Sequence, residues 1–135
     1  MNAKVTPLVL ATFLLFNGTS AQSTKANLLP GAWKVMGLSA AFPDKTSPDQ
    51  IKKGKKTIAD DEKNFKKTTF NFTADGKLTV GKKNFTWVMD ADGSHVTVKR
   101  KHKAKIVATL EELSEHQLVF TRPDEGMIVT YTLSR

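Results

Sequence analysis

The chain has 135 residues, which is enough for one domain with a modest core. Its 21 Lys and Arg residues outnumber its 13 Asp and Glu residues, so the formal net charge is +8. It contains no cysteine, which excludes disulfides, thiolate metal sites and cysteine nucleophiles.

The N-terminus has the pattern of a secretory signal peptide. Lys4 supplies a short positive region, residues 5–16 form an apolar run, and small residues follow that run. The apolar run is shorter than the roughly 20 residues that a membrane-spanning helix needs. We therefore expect a signal peptide over residues 1–21, cleaved after Ala21, and a mature domain of residues 22–135. The mature protein would be secreted or periplasmic, with no transmembrane segment.

The first part of the mature chain predicts one strand and one helix. The run GAWKVMGLS, which starts at Gly31, has the composition of a strand. A helix is then predicted to begin after Ser47, because serine is a good N-cap and Pro48 suits the first helical position. Gln50 completes the pattern of a capping box. We expect this helix to run to about Phe65, with a thin apolar stripe and a wide charged face.

After residue 67 the apolar pattern changes from helical spacing to alternation, which is typical of half-buried strands. Short turns containing glycine separate the alternating segments, so the chain predicts a series of hairpins. Together with the first strand, this gives about eight antiparallel strands and one α-helix between the first and the second. The residues alone leave two all-β architectures open, a closed up-and-down barrel and a sandwich.

The sequence at the two ends of the mature chain resembles that of calycin superfamily members, and within that superfamily it resembles the small lipocalin-like domains of exported bacterial proteins. The GAW triplet of residues 31–33 opens the first strand, and Arg135 follows the last strand of the hairpin series. The resemblance implies an up-and-down barrel closed at one end by Trp33. Arg135 would cross the Trp33 ring in a cation–π contact worth about 0.5–2 kcal/mol.

In the fatty-acid-binding members of that superfamily, an inward arginine two residues before a last-strand tyrosine holds the fatty carboxylate. The tyrosine here is Tyr131, and the earlier position is Val129. The usual anion clamp is therefore not expected, which argues against fatty-acid binding.

The predicted buried face supports the binding of a small apolar molecule inside the barrel. An eight-stranded barrel is either filled by its own side chains or holds one small ligand, and both possibilities stay open. In a ligand-binding barrel we expect Tyr131 to supply the one polar group and the methionines to adapt to the shape of the ligand. The predicted ligand-binding residues are Phe72, Phe85, Trp87, Met89, Phe120, Met127, Val129 and Tyr131.

Two lysine-rich runs support an alternative function. KKGKK lies on the predicted helix and KRKHKAK joins two predicted strands, so the protein would be a basic-surface interaction module with a filled barrel as scaffold. Its partner would be an anionic envelope component or polysaccharide. No aromatic residues are interleaved with the lysines, so nucleic acid is not expected. The basic-surface residues are Lys52, Lys53, Lys55, Lys56, Lys99, Arg100, Lys101, Lys103 and Lys105.

The sequence offers little support for catalysis or metal binding. His95, His102 and His116 are scattered, and none has a neighbouring nucleophile or carboxylate at a spacing typical of a triad or a metal pair. We interpret the DDE run at residues 60–62 as a solvated helix face and the DADG run at residues 90–93 as a hairpin turn. We therefore expect a non-enzymatic protein with no catalytic residue, no metal and no cofactor.

Overall fold

The computed structural model describes residues 25–135 of the chain. These residues form eight strands and one long helix, α1, which spans Pro48–Phe65. The strands are β1 (Gly31–Ala41), β2 (Thr69–Phe72), β3 (Lys77–Val80), β4 (Lys83–Met89), β5 (His95–Lys99), β6 (Ile106–Leu113), β7 (Gln117–Asp124) and β8 (Met127–Ser134). A helical turn at residues 25–28 precedes β1. The predicted signal peptide lies outside the described residues.

The strands form one closed antiparallel barrel. Each strand pairs with its neighbours in sequence, and β8 pairs with β1 to complete the ring. This confirms the up-and-down barrel with α1 between β1 and β2, and it excludes the sandwich. The barrel has one apolar and one polar face because apolar and polar residues alternate along its strands. The apolar side chains point inward, and mostly polar ones point outward. Closure gives every strand a neighbour on both sides.

Helix α1 covers the stretch of β1 that β2 does not reach. β2 pairs with β1 only from Gly31 to Lys34. Farther along β1, Glu62 on the helix accepts the Leu38 backbone N–H at 2.8 Å. This carboxylate bond and a neighbouring lysine hold the pKa of Glu62 below its ordinary value. The interpretation of residues 60–62 as a purely solvated face is therefore incomplete, because one of the three satisfies a strand edge.

The start of α1 agrees with the prediction from sequence. Ser47 is the N-cap, and its hydroxyl accepts the Gln50 N–H at 3.2 Å. Gly54 in the middle of the helix has a packing role. A Cβ at that position would lie 2.6 Å from the ring of Phe42 and 3.3 Å from Met127 Sδ. Glycine thus lets the helix approach the chain below it closely.

Four of the five largest fully buried side chains lie at the end of the barrel where β1 begins and β8 ends. Leu118 and Val35 flank Leu133 on the neighbouring strands β7 and β1. Trp33 and Leu29 join them and are also buried. This end is therefore a filled core.

None of the helices within residues 25–135 is long and apolar enough to span a membrane.

Candidate ligand-binding site

Arg135 and Trp33 form the floor of the barrel together with Leu29. The Cζ atom of Arg135 lies 4.0 Å from the centroid of the Trp33 ring. Its Nη1, Nη2 and Nε atoms donate to the backbone carbonyls of Pro30, Leu28 and Glu115 at 2.6, 2.7 and 2.7 Å. This is the cation–π pair that the resemblance implies, with three backbone hydrogen bonds added.

Gly31 leaves room for this arginine. Its φ of +141° is a backbone conformation that residues with a side chain rarely adopt. A Cβ at Gly31 would collide with the Arg135 guanidinium. Glycine is therefore needed at position 31 because Arg135 packs against its Cα.

Leu29 closes the barrel interior from below. Its backbone carbonyl accepts the Trp33 indole N–H at 2.8 Å. Its side chain is 1% exposed and lines the cavity above the floor. The segment before β1 thus acts as a plug, and the indole hydrogen bond fixes its position.

Above the floor lies a cavity of about 170 Å³. Its wall is almost entirely apolar, and its polar members are Lys83, Arg122 and the Tyr131 hydroxyl. The aromatic rings that line it belong to Phe65, Phe70, Phe72, Phe85, Phe120 and Tyr131. An apolar cavity of roughly 150 Å³ accepts benzene in another protein, so this space suits one ring or a short branched chain.

The predicted ligand-binding residues divide into two groups. Phe72, Phe85, Phe120 and Tyr131 line the cavity. Trp87, Met89, Met127 and Val129 are not among the lining residues.

Local contacts explain two of these four positions. Trp87 packs against Phe72 with ring centroids 5.9 Å apart, and its indole N–H donates to the Thr73 carbonyl at 3.0 Å. Met127 packs beneath Gly54 of α1. Alternation places all four side chains on the inner face, but Trp87 and Met127 pack against neighbours instead of lining the cavity.

The upper part of the cavity ends at Arg122, Tyr131 and Phe65, which we call the Arg122 end. The Cζ atom of Arg122 lies 5.7 Å from the Tyr131 ring centroid, and its Nε donates to the Tyr131 hydroxyl at 3.3 Å. Asp124 is 3.5 Å from Nη2 of Arg122. The Phe65 ring, from the end of α1, lies 5.9 Å from the Tyr131 ring.

This geometry corrects the expectation that Tyr131 is the one polar group facing a ligand. Arg122 stands on β7 directly opposite Val129 of β8. Arg122 therefore places a guanidinium beside Val129, the position where the fatty-acid-binding members have an arginine and this chain has none. A sequence signal did exist, since Arg122 follows the inward Leu118 and Phe120 at the same two-residue spacing.

The Tyr131 hydroxyl is neutral at ordinary pH. Burial raises its pKa above the usual value, and the nearby Arg122 only partly opposes that shift. The hydroxyl can therefore donate a hydrogen bond while its oxygen accepts from Arg122. Together the two side chains offer several donors at one end of an apolar space.

The turn between β4 and β5 corrects another expectation. His95 does have carboxylate neighbours: its Nδ1 lies 2.9 Å from Asp90 Oδ2, and the ligand atoms of Asp90, Asp92 and His95 lie within 4.8 Å of one another. However, Asp90 Oδ1 accepts the backbone N–H groups of Ser94 and His95, both at 3.0 Å. The hydrogen bond from the His95 backbone N–H, helped by the His95 side chain, lowers the pKa of Asp90 to about 2.

This cluster is explained by the turn that it holds. Ser94 Oγ lies 2.9 Å from the same nitrogen, Nδ1, that faces Asp90. A catalytic triad needs the nucleophile and the carboxylate on opposite ring nitrogens, so this arrangement is not one. The interpretation of residues 90–93 as a hairpin turn agrees with the structure.

The two predicted basic clusters occupy different surroundings. Residues 48–65 hold five lysines but also four acidic residues, and Lys56 pairs with Asp60 at 3.7 Å. The lysines of the second run lie on β5 and the loop after it, where residues 95–105 contain no acidic residue. Lys52, Lys53, Lys55 and Lys56 are exposed, and so are Lys99, Arg100, Lys101, Lys103 and Lys105.

Comparison with known proteins agrees with the geometry of the barrel. Residues 15–129 match the family model of C-terminal lipocalin-like domains, GH43_C. Because this match covers most of the chain, the protein belongs to that family. The resemblance to lipocalin-like domains is thereby confirmed. Neither the curated proteins nor the solved structures give a significant match.

Proposed function

We propose that the protein is a non-enzymatic binding protein that holds one small, largely apolar molecule in the barrel cavity. The observation that carries this proposal is the apolar cavity of about 170 Å³ above a fully packed floor. A barrel whose only task is to be stable has no need of such a space, because empty volume in a core is destabilising. Burial of apolar ligand surface would supply the affinity, at about 25 cal/mol per Å².

The size and polarity of the cavity indicate which kind of ligand would fit. One ring or a short branched chain fits about 170 Å³, whereas a long fatty chain does not. Arg122 and Tyr131 at one end favour a ligand with a single acceptor group, such as a carboxylate or a carbonyl. The basic residues Lys83 and Arg100 stand near the same space, since Lys83 lines it and Arg100 lies over the Phe85 ring at 5.9 Å.

The family supports a binding role over catalysis. Its name associates lipocalin-like domains of this kind with the C-terminal side of GH43 glycosidases. Such a place beside an enzyme suits an accessory binding domain. We extend that role to this chain, together with the export that its N-terminal sequence predicts.

The test is calorimetric titration of the mature protein with benzoate and with the neutral benzyl alcohol. Both probes have one ring, and they differ in the group that would meet Arg122. We expect one-to-one binding with a dissociation constant of about 1 mM or tighter. Ala108→Leu should abolish it, because Ala108 lines the cavity and a leucine would fill it.

Ala40→Leu is the matched control. Ala40 also packs against the core but does not line the cavity, so the same added volume should leave binding intact. Thermal unfolding of both variants checks that neither is simply unfolded. Binding of neither probe, or equal binding by Ala108→Leu and wild type, would refute the proposal.

A further inference from the structure

A second surface lies outside the barrel, on the outer face of β3, β4 and β5. Cross-strand pairing places Lys77 and Lys99 on either side of Thr86, and Thr79 beside Asn84 in the next row. Leu78 and Phe85, which alternate with these residues along β3 and β4, line the cavity. The lysines, the threonines and Asn84 therefore lie on the outer face of the barrel. With Lys101 they surround a depression of about 560 Å³, which we call the lysine groove.

The strands that form the lysine groove carry charge of one sign. Residues 77–89 and 95–105 together contain eight Lys and Arg residues and no Asp or Glu. Among the described residues, Lys99 and Lys101 form no ion pair, and Lys77 has only Asp75 at 4.0 Å. The helix lysines differ in this respect, because acidic residues of α1 accompany them. The positive potential of the protein is therefore concentrated on this face of the barrel.

The side chains between the lysines indicate what kind of anion fits. Thr79, Thr86 and Asn84 offer hydroxyl and amide groups, which can donate and accept hydrogen bonds. Phe85 is the one aromatic residue in the lining of the groove; it also lines the cavity, and Arg100 lies over its ring at 5.9 Å, so no bare ring is offered for base stacking. A groove also suits a chain laid into it better than a flat membrane surface.

We propose that the lysine groove binds a carboxylated polysaccharide. Its carboxylates would meet Lys77, Lys99 and Lys101, and its hydroxyls would meet the threonines and Asn84. This site lies outside the wall whose inner face lines the barrel cavity, and the two share Leu78 and Phe85 in their linings. The partner is a polymer, because the depression is open and more than three times the volume of the cavity.

The test compares two variants of equal charge by titration with polygalacturonate. The groove variant changes Lys77, Lys99 and Lys101 to glutamine, and the control changes Lys52, Lys53 and Lys55 on α1 to glutamine. Each loses three positive charges from exposed side chains. We expect the groove variant to lose about tenfold in affinity and the control less than about twofold. Affinity for polygalacturonate should also fall steeply as salt is raised.

A third variant separates a site from simple attraction. Asn84→Ala with Thr86→Ala removes hydrogen-bonding groups but no charge, and it should weaken binding by about threefold. Neutral dextran should not bind. Benzoate titration of every variant should match wild type, which keeps this result independent of the cavity.

Three outcomes would overturn the proposal. Equal losses in the groove and helix variants would mean that only net charge matters. Tighter groove-dependent binding to duplex DNA would assign the face to nucleic acid. Tighter groove-dependent binding to phosphatidylglycerol vesicles would assign it to a membrane, with the exposed Val88 and Val107 of the same face as apolar contacts.

Discussion

Two arginines stack on aromatic rings at different levels of this barrel, and their surroundings differ. Arg135 lies 4.0 Å from the Trp33 ring centroid and donates to three backbone carbonyls at 2.6 to 2.7 Å. Arg122 lies 5.7 Å from the Tyr131 ring centroid, and its two hydrogen bonds are 3.3 and 3.5 Å long. Every nitrogen of the Arg135 guanidinium donates to a backbone carbonyl, whereas Nη1 of Arg122 has no acceptor among the described residues.

The difference indicates which arginine is structural and which is available. A guanidinium has five N–H donors, and those of Arg135 join the segment before β1, the β6–β7 turn and the end of β8. Arg122 keeps donors without a protein acceptor among the described residues, at the edge of an apolar cavity. One arginine therefore closes the barrel, and the other can meet a ligand.

Removal of the floor ring should have the largest effect on stability. Trp33→Ala deletes a side chain that is 0% exposed, so we expect the free energy of unfolding to fall by about 3–5 kcal/mol. Urea unfolding followed by circular dichroism measures this. A loss below about 1 kcal/mol would mean that Trp33 does not hold the floor.

Arg135→Gln should cost less, about 1–2 kcal/mol, because the exposed guanidinium exchanges part of its hydrogen bonding with water. The same urea unfolding experiment applies, with Lys103→Gln as a control for the loss of one exposed charge. Equal stability of the two variants would contradict a structural role for Arg135.

Arg122→Gln should separate stability from binding. We expect its free energy of unfolding to stay within about 0.5 kcal/mol of wild type, because its hydrogen bonds are few and long. Its affinity for benzoate should fall about tenfold, while its affinity for benzyl alcohol should change much less. Calorimetry of both probes checks this, and equal losses for the two would remove Arg122 from the ligand site.

The smallest predicted effect concerns the β4–β5 turn. Asp90 has a pKa of about 2 in the folded protein, below the ordinary value of 3.8, so its hydrogen bonds stabilise the fold above about pH 4. That contribution should be lost as the pH falls from about 4 towards 2. Carbon NMR titration of the Asp90 carboxyl measures its pKa, and Asp90→Asn should remove this part of the acid sensitivity. A measured pKa near 3.8 would contradict the turn geometry.

Much of the fold could be predicted because its signals are local. Alternation predicted the strands, and the Ser47 cap predicted the start of α1, which the structure places at Pro48. The resemblance also placed Trp33 on the first strand and Arg135 after the last strand of one closed barrel. Antiparallel pairing of β1 with β8 then brings the two ends together.

The site was harder to predict because a cavity depends on packing in three dimensions. Inward phase alone cannot show that Trp87 and Met127 fill space against neighbours while Phe120 faces a void. Arg122 was missed although its spacing from Phe120 is that of an inward residue. A charged side chain near a strand end is usually exposed, and only the register opposite Val129 shows where this one lies.

The most direct test of the account is amide NMR of the mature protein during titration with benzoate. We expect the largest shifts at Phe120, Arg122 and Tyr131, with little change at the Trp33 indole, which lies in the packed floor. Shifts concentrated at Lys77, Lys99 and Lys101, or at Trp33, would contradict the assignment of the cavity and its Arg122 end as the ligand site.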